Sequence, residues 1–444
     1  MARNEFCSRP GLPRPGLSRP GLSRPGLSRP GLSRPGLSRP GLSRGILPIG
    51  TLVLALGCAQ PAARETSPAD EGGTPASVAA PEAEQVVRIA CFNVKELGRD
   101  KLDQLEDGVG AHPQLRSAAE IIQRLRPDVL LLNEIDFDDE RQAVELFHER
   151  YLAVSQNGQE PISYAHRFFE ATNTGVPSGH DFDNDGKTDG PADAYGFGRY
   201  PGQYGMALLS HLPIDAASAR TFRELRWRDM PGNLMPDGSD GKPDWYNAEE
   251  TEIFRLSSKS HWDVPVEIGE RTVHILASHP TPPVFDGDED ANGRRNFDEI
   301  RLWADYLTGG DAASYLVDDR GQAGALAADA SFVVMGDLNA DPFNAENPYG
   351  RTAISQLLEH PRIRDPHPRH AGGPVVDRPY AGPTEERTAA YGRLDYVLPS
   401  RDLEVRDAGV FWPPPDDPLH HLVAGEAEAS DHALVWIDVA FSGE

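Results

Sequence analysis

From Val86 to the end of the chain, short apolar runs of strand length alternate with amphipathic stretches, and the runs end in amides, carboxylates or imidazoles. Val87-Arg88-Ile89-Ala90-Cys91-Phe92 ends in Asn93, and Asp128-Val129-Leu130-Leu131-Leu132-Asn133 ends in Glu134. Met206 to Leu209 ends at Ser210 and His211, Val273 to Ser278 ends at His279, and Phe332 to Met335 runs into Gly336-Asp337-Leu338-Asn339. Arg393-Leu394-Asp395-Tyr396-Val397-Leu398 has the outline of a strand with a carboxylate inside it, and Ser430-Asp431-His432 opens the run Ala433 to Ile437. A single polar strand end is ordinarily the start of a solvated loop. Seven in one domain call for a common cause, since each costs roughly 2–7 kcal/mol if buried and left unsatisfied. Their convergence in one cleft accounts for all of them. Between the first two runs, Leu115, Ala118, Ala119, Ile122 and Leu125 fall at helical spacing and Pro127 stops the helix, which makes a β-α-β unit.

Composition supports a folded core. The 444 residues are 39% hydrophobic with 43 glycines besides, which excludes disorder over the full length. Cys7, Cys58 and Cys91 are too few for a disulfide framework. The net charge of −26 divides unevenly: the first 57 residues carry nine arginines against one acid, Glu5, a net of +8, which leaves −34 on the rest. A protein held to nucleic acid mainly by a broad basic face is thereby unsupported, because Lys and Arg supply most non-specific affinity for phosphate. A small local contact stays open. The strand ends offer Asn, Asp, Glu and His, and lack Lys or a nucleophilic Ser or Cys. That inventory suits a hard divalent cation, Mg²⁺, Mn²⁺ or Ca²⁺, better than a structural zinc site.

The front of the chain reads differently. Residues 9 to 42 repeat Arg-Pro-Gly-Leu seven times with a period of five, and proline at every fifth position forbids regular hydrogen bonding, so the segment is expected to be disordered. Gly45 to Gly57 (GILPIGTLVLALG) is uncharged and mostly apolar, but too short to span a bilayer at about 20 residues per helix. A basic lead, a short apolar run and small residues at its end make a secretory signal. Ala55-Leu56-Gly57-Cys58 resembles the lipobox of bacterial lipoproteins, with Cys58 as the lipidated residue and Ala55 standing where leucine is usual. Soluble export, or a cytoplasmic chain with Cys58 buried, are the alternatives. The expected organisation is a leader and signal peptide over 1–57, a lipidation cysteine and flexible tether over 58–85, and one domain over 86–444, with Cys91 a small core residue.

Phe92-Asn93-Val94, Leu131-Leu132-Asn133-Glu134, His279, Gly336-Asp337-Leu338-Asn339, Arg393-Leu394-Asp395-Tyr396 and Ser430-Asp431-His432, in that order, resemble the endonuclease/exonuclease/phosphatase superfamily of pancreatic-type DNases, abasic-site endonucleases, neutral sphingomyelinases and inositol-polyphosphate 5-phosphatases. The resemblance runs from about Val86 to Phe441. It implies a four-layer α/β (α+β) sandwich, DNase I-like, two packed mixed β-sheets flanked by helices, with the site at one end. By the same likeness Glu134 is the principal ligand of Mg²⁺ or Mn²⁺ with Asn93 and Asp431 nearby, Asp337 and Asn339 position or deprotonate the attacking water, His279 and His432 contact the scissile phosphate, and Asp395 orients one of them. One departure concerns His279: where the histidine strand of many nucleases of the family ends Asn-Thr-His-Leu, this chain has Ala277-Ser278-His279-Pro280-Thr281-Pro282-Pro283.

The inserts carry further expectations. Asp181, Asp183, Asp185 and Asp189, with Gly186 between, fit the first part of an EF-hand-like calcium loop, although position 12 is Ala192 and Asp193 comes one residue late. An acidic run, Phe285 to Gly293, precedes Arg294 and Arg295, which suit either phosphate capture or a structural role. Asn296 to Leu307 reads as an amphipathic helix. The expected activity is metal-dependent hydrolysis of a phosphate ester (nucleic acid, phospholipid or a small ester) by direct water attack, with membrane attachment through the lipid alone and no protein partner. The opposing expectation is a non-catalytic, calcium-stabilised surface binding module on the same fold.

Overall fold

The computed structural model describes residues 85–236, 238, 245–343, 349–373 and 380–441. The repeat, the apolar run to Gly57, Cys58 and the tether as far as Glu84 lie outside the described residues. The strands are β1 (Gln85–Leu97), β2 (Leu105–Glu106), β3 (Val109–Gly110), β4 (Val129–Ile135), β5 (His166–Phe168), β6 (Gly205–Ser210), β7 (Arg220–Thr221), β8 (His261–Ile268), β9 (Arg271–Ser278), β10 (Ser331–Asp337), β11 (Asp395–Pro399), β12 (Glu404–Phe411) and β13 (Leu434–Phe441). β2 and β3 pair with each other, and the rest form two mixed sheets, ordered β12-β13-β1-β4-β6-β5 and β11-β10-β9-β8-β7. The β-α-β unit is present: β1 and β4 run parallel and the Pro113–Leu125 helix connects them.

Alternation along the strands builds the layers. Ile89 and Cys91 point inward, into a core shared with Val264, Val266, Ile275, Val333 and Met335 of the second sheet. Ala90 and Phe92 point outward, under Leu115, Ala118, Ala119 and Ile122 of the Pro113–Leu125 helix. On the other outer face, Ile300, Leu302, Trp303, Tyr306 and Leu307 of the Ala291–Thr308 helix cover Leu276, Phe332, Val334 and Leu398. Helix, sheet, sheet and helix make the expected four-layer sandwich, and with roughly 1.5–3 kcal/mol from each fully buried large apolar side chain, these three cores fix the strand ends. Cys91 is a buried free thiol, and burial pushes its pKa up. Among the described residues no helix is long and apolar enough to cross a membrane.

Register sets the polar strand ends side by side. Asn93 lies opposite Asn133 in the parallel pair, and Asp337 opposite Asp395 in the antiparallel pair of β10 and β11. Arg295 takes the structural alternative rather than phosphate capture: it donates to the carbonyls of Leu256 and Arg255 at 2.9 Å each, and its guanidinium lies over Phe254.

Asp298, inside the Ala291–Thr308 helix, holds the loop after Trp227. Its Oδ2 accepts from Trp227 Nε1 at 2.7 Å and Leu234 N at 2.6 Å, while Oδ1 is buried without a partner. Burial outweighs those bonds and pushes the carboxyl up to about 6. A raised carboxyl pKa means that the native state holds the proton more tightly. Its stabilisation is therefore full below the ordinary value near 3.8, falls as pH rises toward 6, and is gone above it. Asp298→Asn is expected to gain on the wild type across that window, by on the order of 3 kcal/mol at pH 7. Urea unfolding of both proteins between pH 4 and 8 checks this, and a stability difference that does not change with pH contradicts it.

Candidate active site

The ends of β1 and β4 leave regular geometry where the polar residues begin. Pairing shifts register between Asn93 and Leu97 and between Asn133 and Ile135. Glu134 sits in the left-handed region with φ 64°, as do Lys95 and Glu96 with φ 49° and 54°. Such backbone costs roughly 1–2 kcal/mol per residue for an L side chain and needs a holding interaction. Glu134 has two: Oε1 accepts from Asn93 Nδ2 at 3.0 Å, and Oε2 from Glu96 N at 3.0 Å.

From the second sheet, β10 delivers Asp337. Gly336, with φ 149°, lets its backbone pass the end of β9, where a Cβ would meet the Ser278 carbonyl oxygen at 1.9 Å. Asp337 N then donates to Asn133 Oδ1 at 3.1 Å, and Asp337 Oδ2 accepts from Asn93 Nδ2 at 3.0 Å. Asn339, itself left-handed at φ 50°, donates its backbone N–H to Asp337 Oδ1 at 3.0 Å and its amide to Pro280 O at 3.1 Å.

The imidazoles close the group. Asp395 Oδ2 lies 2.8 Å from His432 Nδ1, and Asp337 Oδ2 lies 3.7 Å from His432 Nε2 and 3.5 Å from His279 Nε2. Asp395 is fixed by Thr388, whose hydroxyl oxygen accepts from Asp395 N at 3.0 Å, and Ser430 Oγ accepts from His432 N at 3.1 Å. Asn93, Asn133, Asp337, His279 and Asp395 are all buried. The three-proline loop after His279 thus leaves its imidazole beside Asp337.

Burial, with Asp395 adding its charge, pushes Asp337 up to about 6 against the pull of His432 and the Asn93 hydrogen bond. Burial also raises Glu134. Burial alone would lower His432, but Asp395 and then Asp337 hold it well above the ordinary imidazole value. Burial, with Lys259 and His432 adding positive charge, drives His279 well below it. Two histidines around one carboxylate are thereby set to opposite charge states, a separation suited to acid–base work.

Oxygens of Asp337 and Asp395 and a ring nitrogen of His432 come within 4.8 Å of one another, and with Asp395 and Asp337 favouring the charged imidazole the trio is suited to handling a proton. Glu134 is the better metal ligand. Among the described residues its carboxylate is held by two neutral N–H donors and no ion pair, and a divalent cation would supply the missing countercharge with hard-oxygen chemistry. Asn93, beside it, could add its Oδ1, which accepts the Lys95 N–H at 3.0 Å while its Nδ2 faces Glu134. Asp431, the third expected ligand, is exposed, with its carboxylate 3.7 Å from Lys95 Nζ. At the expected calcium loop, carboxylates of Asp181, Asp183 and Asp193 come within 4.8 Å. The late Asp193 is the third member, whereas Asp185 pairs with Lys187 at 2.7 Å and Asp189 stands outside the trio.

A model described as the endonuclease/exonuclease/phosphatase family matches residues 90–432. The chain belongs to that family. Its members are typically hydrolases acting on phosphate esters. Similar solved structures include the endonuclease/exonuclease/phosphatase from Beutenbergia cavernae (17% identity, 81% of this chain and 72% of that chain, TM-score 0.45). A family protein from Leptotrichia buccalis (14%, 80% and 100%, TM-score 0.41) and the human nocturnin catalytic domain (16%, 81% and 98%, TM-score 0.40) are others. No curated protein sequence matches.

Sequence reasoning left three residues without a role. Asn133 was visible in the Leu131–Glu134 motif, yet its tie between the sheets was not. Glu299, inside a helix, accepts Ser258 N at 2.6 Å and Thr281 N at 2.7 Å. Lys259 stands beside a centre expected to lack lysine; it sits in the irregular run Ser257-Ser258-Lys259-Ser260, where no periodicity marks it.

Proposed function

We propose that this protein hydrolyses a phosphate ester, with Mg²⁺ or Mn²⁺ held by Glu134 and Asn93 and with Asp431 at the rim. The observation that carries the reading is the buried set in which Asn93 joins Glu134 to Asp337 while Asp395 holds His432 charged. When bound, the ion supplies a Lewis acid that polarises a phosphoryl oxygen. Asp337 and Asn339 orient the attacking water, and Asp337, raised toward neutrality, accepts its proton. His432 donates through Nε2 to the phosphate as negative charge accumulates on its oxygens, with Asp395 fixing ring and tautomer. His279, kept neutral, offers an uncharged donor or acceptor on the other side of Asp337. The substrate lies among phosphodiesters and phosphomonoesters, nucleic acid or phospholipid included, and the acidity of the domain weighs mildly against long polyanions. Ca²⁺ at Asp181, Asp183 and Asp193 would steady the insert.

EDTA is expected to abolish hydrolysis by the purified protein, and Mg²⁺ or Mn²⁺ to restore it. Asp337→Ala and His432→Ala should each lower kcat by at least ~10²-fold at a temperature where circular dichroism shows both variants folded. A panel of a bis-ester, a monoester, plasmid DNA and a phospholipid reads this out; chelator-resistant turnover, or near-native rates in both variants, sinks the proposal.

We also propose export and anchoring through a lipid on Cys58, from the basic lead, the apolar run and the lipobox-like Ala55-Leu56-Gly57-Cys58. Cys58→Ser should move the protein from the membrane fraction to the soluble fraction, and unchanged membrane retention refutes the anchor.

A further inference from the structure

Lys259 is 7% exposed, and among the described residues its ammonium makes no hydrogen bond and no ion pair. A buried cation in that condition costs several kcal/mol unless an anion arrives to meet it. The backbone that carries it is held on both sides. Ser258 N donates to Glu299 Oε1 at 2.6 Å, Ser258 Oγ to the His279 carbonyl at 3.3 Å, and Asn173 N to the Lys259 carbonyl at 2.9 Å. Glu299 Oε2 accepts Thr281 N at 2.7 Å, so one buried carboxylate locks the Lys259 loop to the His279 loop.

The charges that act on Lys259 show where it sits. Burial lowers its pKa, and Glu299, Glu134 and Asp337 are the carboxylates that pull it back. It is in turn the foremost charge acting on His279. The ammonium therefore stands close enough to Glu134, Asp337 and His279 to act on all three, and the neighbouring Ser258 hydroxyl donates to the His279 carbonyl. Glu134 engages two N–H donors and Asp337 two more besides the imidazoles, with Lys259 in neither set.

We propose that Lys259 receives a non-bridging oxygen of the scissile phosphate, as a second fixed cation in addition to His432. This rests on the phosphoesterase reading. A desolvated ammonium already in place needs no reorganisation as charge grows on that oxygen, and removing one such donor typically costs 10²–10³-fold in rate.

The test uses the full-length protein, with Lys259→Met and, should that variant not fold, Lys259→Gln. In EDTA, inorganic phosphate is expected to raise the wild-type unfolding midpoint and to leave the variant's unchanged, while Mn²⁺ raises both alike. With Mn²⁺ saturating, kcat/KM for the ester that the wild type cleaves should fall ~10²–10³-fold. A folded variant that keeps the phosphate-induced rise and stays within about threefold of wild-type kcat/KM overturns the inference. So does a wild type that phosphate fails to stabilise, whatever the variants do. A wild type that hydrolyses no ester, but whose phosphate response still requires Lys259, supports the anion contact and removes the hydrolytic reading alone.

Discussion

Two amides of the first sheet reach one residue of the second, and the polar end of the sandwich depends on that crossing. Asn93 donates to the Asp337 carboxylate, and Asn133 accepts the Asp337 backbone N–H. The apolar core between the sheets is non-directional and would tolerate small slips of one sheet over the other. Hydrogen bonds at buried strand ends would not, because a slip leaves several donors and acceptors unsatisfied together. The pairings of β1 with β4 and of β10 with β11 then carry this alignment outward, so Glu134 and Asp395 follow wherever Asn93 and Asp337 are fixed.

Crowding acids at one buried point is costly, and that cost organises the electrostatics. Asp337 and Glu134 are both raised by burial, and Asp395 is compensated by a charged His432. At His279 and Lys259, in turn, burial works against positive charge. The centre is thus poised between an excess of buried carboxylates and cations that burial disfavours. The proposed metal ion and phosphate would relieve both, so that residues which serve stability poorly would serve catalysis well.

Much of this was legible in the sequence, for a physical reason. A polar residue that ends, opens or interrupts a short apolar run stands out, and Asn93, Glu134, Asp337, Asp395 and His432 were all visible in that way. The β-α-β unit could be read from spacing, and the two packed sheets were implied by the resemblance alone. What stayed hidden has no periodic signature. Lys259 occupies an irregular loop, and Glu299 sits on the polar side of a helix whose apolar stripe was the readable feature. At the calcium loop, spacing pointed to Asp185 and Asp189, but backbone hydrogen bonds from Phe182 and Gly190 to Asp193 curl the loop so that the later carboxylate joins Asp181 and Asp183. The phosphate capture open to Arg295 was settled by carbonyls far away in sequence.

The account stands on a divalent ion at the Glu134 side of the centre. Mn²⁺ binding followed by electron paramagnetic resonance, in wild type and in Glu134→Gln, tests that most directly. The expected result is a Mg²⁺-competed Mn²⁺ site in the wild type that Glu134→Gln loses, with any Ca²⁺-competed site at Asp181, Asp183 and Asp193 unchanged. Equal Mg²⁺-competed binding in the two proteins would contradict it.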